Sequence, residues 1–133
     1  MYFILFHAHS GWRHLVLLLL FIACIKMLVG WQQKKPWQKI DLQLVSFTNM
    51  AVVLQVLMGV ILYIIGKSWL TAPAWFSVAH ILPALVGTFM TAKASGWAKR
   101  GQTDVEKFQW AFIGLLSGGI LILVGVVFIL MAR

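Results

Sequence analysis

Four histidines carry the chemical possibilities of this 133-residue sequence: His7, His9, His14 and His80. A neutral imidazole ligates transition metals through one ring nitrogen while the other holds the ring in place. On a helix of 3.6 residues per turn, His7, Gly11 and His14 share one face, and His9 and Arg13 fall on nearly the opposite one. Only one of these sets can point into a bundle. His80 lies in a separate apolar stretch. An imidazole from each of two parallel helices, at similar depth, is what a bis-histidine haem b needs, because the iron accepts axial nitrogens on its two faces. The candidate ligands are His80 and one of His9, His14 and His7, with Arg13 available to neutralise a propionate. After His80 the same face continues as Ala84, Gly87 and Thr91. Such small residues leave room for a flat macrocycle, or let another helix pack closely. Ser46, Asn49 and Gln55 could hydrogen-bond a neighbouring helix or a quinone. A copper or zinc site on His7-Ala-His9 would need a third ligand, and these two side chains diverge on a helix.

Bland roles compete with each of these. An interfacial histidine can hydrogen-bond a neighbour, and an arginine near a membrane surface can extend to the interface. Absences narrow the chemistry further. The three acids, Asp41, Asp104 and Glu106, fall in loops or at helix ends. No carboxylate therefore sits inside an apolar stretch, as a proton-coupled carrier would require. There is no Ser-His-Asp arrangement and no phosphate-binding glycine loop, so hydrolase and kinase chemistry lack their residues. Cys24 is the single cysteine. It excludes an internal disulfide and any Cys-x-x-Cys redox or zinc pair.

The elements that must position the histidines are membrane spans. Hydrophobic residues make up 62% of the chain and charged residues 11%, against about a quarter charged in soluble domains. A soluble fold of this length could not hide that much apolar surface. Positions 42–66, 68–92 and 108–132 contain no charge, and about 20 apolar residues suffice to cross a bilayer. The Thr71-Ala72-Pro73 turn delays the third helix to Ala74. The first apolar run has no basic residue before it and no small-residue cleavage pattern after it, so it reads as a permanent helix. The expectation is one integral-membrane domain, 1–133, an all-α four-helix transmembrane bundle with helices at about 3–29, 42–66, 74–93 and 108–131.

Lysine and arginine number 11 against 3 acids. The basic residues concentrate in loop 1 (Lys34, Lys35, Lys39) and loop 3 (Lys93, Lys99, Arg100, Lys107), which signals membrane topology better than nucleic-acid binding. By the positive-inside rule these loops are cytoplasmic and both termini face the outer, periplasmic side of a bacterial inner membrane. Trp31, Trp37, Trp97 and Trp110 then mark the inner interface, and Trp69 and Trp75 the outer. Gly114, Gly118 and Gly125 form a small-residue stripe on helix 4. It fits close packing within the bundle, or a docking face for another subunit or a second copy.

The string His7-Ala-His9-Ser10-Gly11-Trp12-Arg13 before a Leu-rich run, with Val78-Ala79-His80 opening helix 3 and Thr103-Asp104-x-x-Lys107-Phe108 opening helix 4, resembles small four-helix bacterial membrane proteins of cytochrome b type. The resemblance covers most of the chain. It implies a haem-b bundle near respiratory or quinol-linked electron transfer, with the ligand positions carried onto His9 and His80, and after them His7. That family also has a histidine in the middle of helix 2, where this chain has Asn49, Val53 and Gln55. His14 could supply a replacement. Alternatively, the chain is a haem-free accessory subunit of a larger membrane complex. Either reading points to an electron carrier or an accessory subunit rather than to a stand-alone enzyme.

Overall fold

The computed structural model describes residues 1–132. Four helices are long and apolar enough to cross a membrane: helix 1, Tyr2–Gln32; helix 2, Lys39–Ile65; helix 3, Ala74–Arg100; and helix 4, Asp104–Met131. Among the described residues there is no strand. Helix 1 packs against helices 2 and 4, and helix 3 packs against the same two. Helices 1 and 3 are therefore diagonal partners that run in the same direction. Large apolar side chains such as Phe21, Phe47, Val78 and Phe89 are exposed around the bundle, a surface that suits lipid and not water. The chain is a multi-pass membrane protein.

Local chemistry sets the helix ends. The Asp41 carboxylate accepts the Gln38 N–H at 2.8 Å and pairs with Lys26 Nζ at 2.6 Å, so helix 2 begins at Lys39, ahead of its charge-free core. The Thr103 hydroxyl accepts the Glu106 N–H at 3.2 Å, and helix 4 begins four residues before the expected position. Helix 3 continues past Lys93 to Arg100. Its buried stripe Gly87, Thr91, Ala94, Ala98 keeps helical spacing while Lys93, Lys99 and Arg100 stay outside. Helix 1 closes with the Lys35 N–H on Gly30 O at 3.0 Å and the Lys34 N–H on Trp31 O at 3.3 Å. Lys34 is left-handed there, at φ 50°, the position that terminates many helices and usually holds glycine. A one-turn helix, Ser68–Thr71, lies in the loop between helices 2 and 3.

The core is unevenly distributed. Met27, Val45, Ala94, Ala98, Phe108, Ala111 and Leu115 fill the half of the bundle away from the termini. There the Phe108 ring rests on Gly30 and meets the Trp37 ring edge-on, with centroids 4.9 Å apart. In the terminal half, no residue of 1–15 or 74–86 is fully buried.

The helix 3–helix 4 seam is the closest. A Cβ on Gly114 would stand 2.7 Å from the Ala94 Cβ, and one on Gly118 would stand 2.6 Å from the Gly87 carbonyl oxygen. This packing corrects the docking-face expectation. Gly114, Gly118 and Gly125 are buried against helix 3 of the same chain, which commits these three glycines to packing within the bundle. It also divides the small-residue stripe after His80. Gly87 and Thr91 are spent on the approach of helix 4, and Ala84 alone of the three lines open space.

Candidate functional site

The loosely filled half encloses a cavity of about 600 Å³, lined by residues from all four helices. That lies within the 300–1,000 Å³ range of small-molecule and cofactor sites. His9 and Arg13 enter it from helix 1, Gln55 and Tyr63 from helix 2, and Ser77 and His80 from helix 3, and helix 4 contributes the apolar Ile122 and Val126. The diagonal helices thus present one imidazole each to a shared space.

Each imidazole is held through Nδ1 by a carbonyl of a neighbouring helix. His80 Nδ1 lies 3.0 Å from Gly125 O, and His9 Nδ1 lies 3.2 Å from Gln55 O. With Nδ1–H as donor, the neutral ring keeps its lone pair on Nε2, the arrangement that orients metal-ligating histidines and raises their basicity. The Gln55 amide Nε2 donates to His9 O at 3.0 Å and stands 3.2 Å from both His9 ring nitrogens. Ligation through His9 Nε2 would replace that second, weaker contact. One turn deeper, Trp12 Nε1 donates to Ala51 O at 3.0 Å. These bonds fix helix 1 on helix 2 in the register that turns His9 and Arg13 inward.

Gly59 makes room for the His9 ring, and Gly125 for the main chain at His80. A Cβ on Gly59 would stand 3.0 Å from His9 Cε1, and a Cβ on Gly125 would stand 3.0 Å from His80 O. Gly125 is therefore part of the His80 mount, supplying both the acceptor and the clearance. His80 also sits in a π-helical turn, Ser77–Ile81, where the Leu82 N–H bonds to Ser77 O. Pro83 explains its position: proline has no N–H for the Ala79 carbonyl, and its ring would crowd that carbonyl in a regular helix. The widened turn absorbs the conflict just ahead of it, and such turns recur at functional sites.

The other predicted positions fall elsewhere. His7 and His14 are exposed on the opposite face of helix 1 and do not line the cavity. His7 packs edge-on against Phe3, with centroids 4.3 Å apart, and against Phe6 at 5.7 Å. Asn49 accepts from the Thr91 hydroxyl at 3.2 Å, a bond between helices 2 and 3. Gln55 Oε1 is buried without a hydrogen-bond partner among the described residues. A buried acceptor of this kind is normally satisfied by something in the adjacent space. Tyr63 Oη and Ser77 Oγ, 3.2 Å apart, bridge helices 2 and 3 across the cavity. Gln55 makes the interhelical hydrogen bond its sequence position suggested, with His9 as the partner; sequence reasoning missed Gly59 and Pro83. Pro83, three residues beyond His80 in a transmembrane stretch, was the visible signal.

No protein-family model matches this chain, and neither a curated protein nor a solved structure is found to be similar to it.

Proposed function

We propose that this chain is a membrane cytochrome-b-like protein that binds one haem b between helices 1 and 3, with His9 and His80 as its axial ligands. One observation carries this reading. Two imidazoles, from diagonal helices that run in the same direction, line one cofactor-sized cavity, each anchored through Nδ1 to a main-chain carbonyl. Among the described residues no cluster of three metal-ligating side chains exists, and a bis-histidine haem requires only two.

Haem iron supplies reversible one-electron chemistry when it is bound. The chain's own residues do the rest. Gln55 O and Gly125 O hold the rings and strengthen Nε2 as a donor. Arg13 brings a guanidinium to the cavity, where a propionate carboxylate would be neutralised. Phe6, Trp75, Ile122 and Val126 give the cavity apolar walls. Gln55 Oε1 offers an acceptor to a hydroxyl or to a quinol. The role that follows is respiratory or quinol-linked electron transfer, with a quinone or another membrane subunit as the exchange partner. The positive-inside pattern of Lys34, Lys35, Lys39, Lys99 and Arg100 supports a bacterial inner-membrane location with loops 1 and 3 cytoplasmic and the cavity toward the periplasm.

The test is haem content per chain in purified variants, produced with haem precursor supplied. His9→Ala and His80→Ala should lose the haem, while His7→Ala and His14→Ala should keep it. A full haem complement in either of the first two variants would overturn the ligand assignment. A folded parent chain without haem that co-purifies with a larger complex would favour the accessory-subunit reading instead.

A further inference from the structure

At the opposite end of the bundle a second cleft, of about 540 Å³, opens between helix 1, the turn at 33–38 and the start of helix 2. It shares no residue with the histidine cavity. One wall is apolar and faces outward: Phe21, Ile22 and Ile25 are 65%, 47% and 45% exposed. The other end is polar and basic, formed by Lys26, Lys35 and Gln38. Asp41, the acid in the lining, is already occupied by Lys26 on one oxygen and by the Gln38 N–H on the other. The charge of Lys35 is therefore uncompensated within the cleft, and the nearby Lys34 and Lys39 are exposed. The Lys35 N–H closes helix 1 on Gly30 O, with Lys34 in the left-handed conformation.

An apolar wall that ends in a cationic pocket at the end of a membrane-spanning helix complements one kind of molecule, an anionic lipid. We propose that this cleft binds an anionic phospholipid, its headgroup phosphate at Lys35 and an acyl chain along Phe21, Ile22 and Ile25. A zwitterionic lipid would bring its own cation to the lysines, and a free phosphate would leave the apolar wall unused. The proposal does not depend on haem.

The test uses the full chain in a neutral detergent, titrated separately with phosphatidylglycerol, phosphatidylcholine and inorganic phosphate, with bound molecules counted by native mass spectrometry. Phosphatidylglycerol should be retained at concentrations where the other two are not. Lys35→Gln should weaken that retention about fivefold, the worth of one lysine near an anionic surface, and Lys35→Arg should restore it. Lys99→Gln, in the last turn of helix 3, should leave it unchanged. Equal retention of phosphatidylcholine, equal losses in Lys35→Gln and Lys99→Gln, or displacement of the lipid by matching concentrations of inorganic phosphate would each overturn the proposal.

Discussion

Two adjacent glycines on helix 4 should respond in opposite directions to the same substitution. A Cβ on Gly118 would stand 2.5 Å from Thr91 Cγ2, 2.6 Å from Gly87 O and 3.0 Å from Thr91 N. Two of these three atoms are main chain, so no rotamer relieves the clash and helices 3 and 4 must separate. Overpacking of this kind costs about 1–3 kcal/mol. A Cβ on Gly119 would find only Leu20 Cδ2, at 3.9 Å, an ordinary contact. Alanine gains up to about 1 kcal/mol over glycine inside a helix at either position. Gly118→Ala should therefore lose about 1 kcal/mol net, and Gly119→Ala should gain somewhat less than that. The difference between the variants cancels the helix preference and isolates the packing cost, about 2 kcal/mol. Reversible unfolding in mixed micelles, driven by increasing SDS and followed by circular dichroism, measures both. Stabilities within about 0.5 kcal/mol of each other, small against the overpacking range, would refute the close helix 3–helix 4 seam. That result would return the glycine face to the surface as a subunit contact.

Other perturbations probe other parts of the account. Asp41→Ala should destabilise the bundle by about 1–2 kcal/mol, mostly through the lost helix cap, since Lys26 is partly solvated. Asp41→Asn keeps an acceptor for the cap and should lose less than half as much in the same unfolding assay. Lys67 is left-handed at φ 50° where helix 2 ends. Lys67→Gly should raise stability by about 0.5 kcal/mol, the relief of that strain less glycine's extra unfolded-state entropy. Gly59→Val should push the His9 ring from its place and weaken haem binding at least tenfold in a haem titration, with helix content unchanged by circular dichroism. Wild-type haem affinity in that variant would argue against His9 as a ligand.

The sequence disclosed the architecture readily, because charge-free stretches and clustered lysines are conditions that a bilayer imposes directly. It also narrowed the site by helical phase. His7 with His14 and His9 with Arg13 had to face opposite ways, and the pair lining the cavity is His9 with Arg13. Periodicity could not say which pair turns inward. That choice rests on long-range bonds between Gln55 and His9 and between Trp12 and Ala51, which join residues 46 and 39 positions apart. The glycines on helix 4 show the same limit. Their stripe announced a close approach, yet a stripe does not name its partner, and the partner is Ala94, Thr91 and Gly87 of the same chain. Helix ends were misplaced where caps, not hydropathy, decide them, as at Asp41 and Thr103. The π-helical turn at His80 was readable in principle from Pro83, because a missing N–H inside a span must be absorbed nearby.

The central claim is that His9 and His80 hold a haem, and a visible spectrum tests it most directly. The full chain should be purified gently in detergent after expression with haem supplied, and its reduced-minus-oxidised difference spectrum recorded. The account predicts a sharp b-type band at a stoichiometry of one haem per chain, absent from the His80→Ala protein. A featureless spectrum from well-folded chain would contradict it.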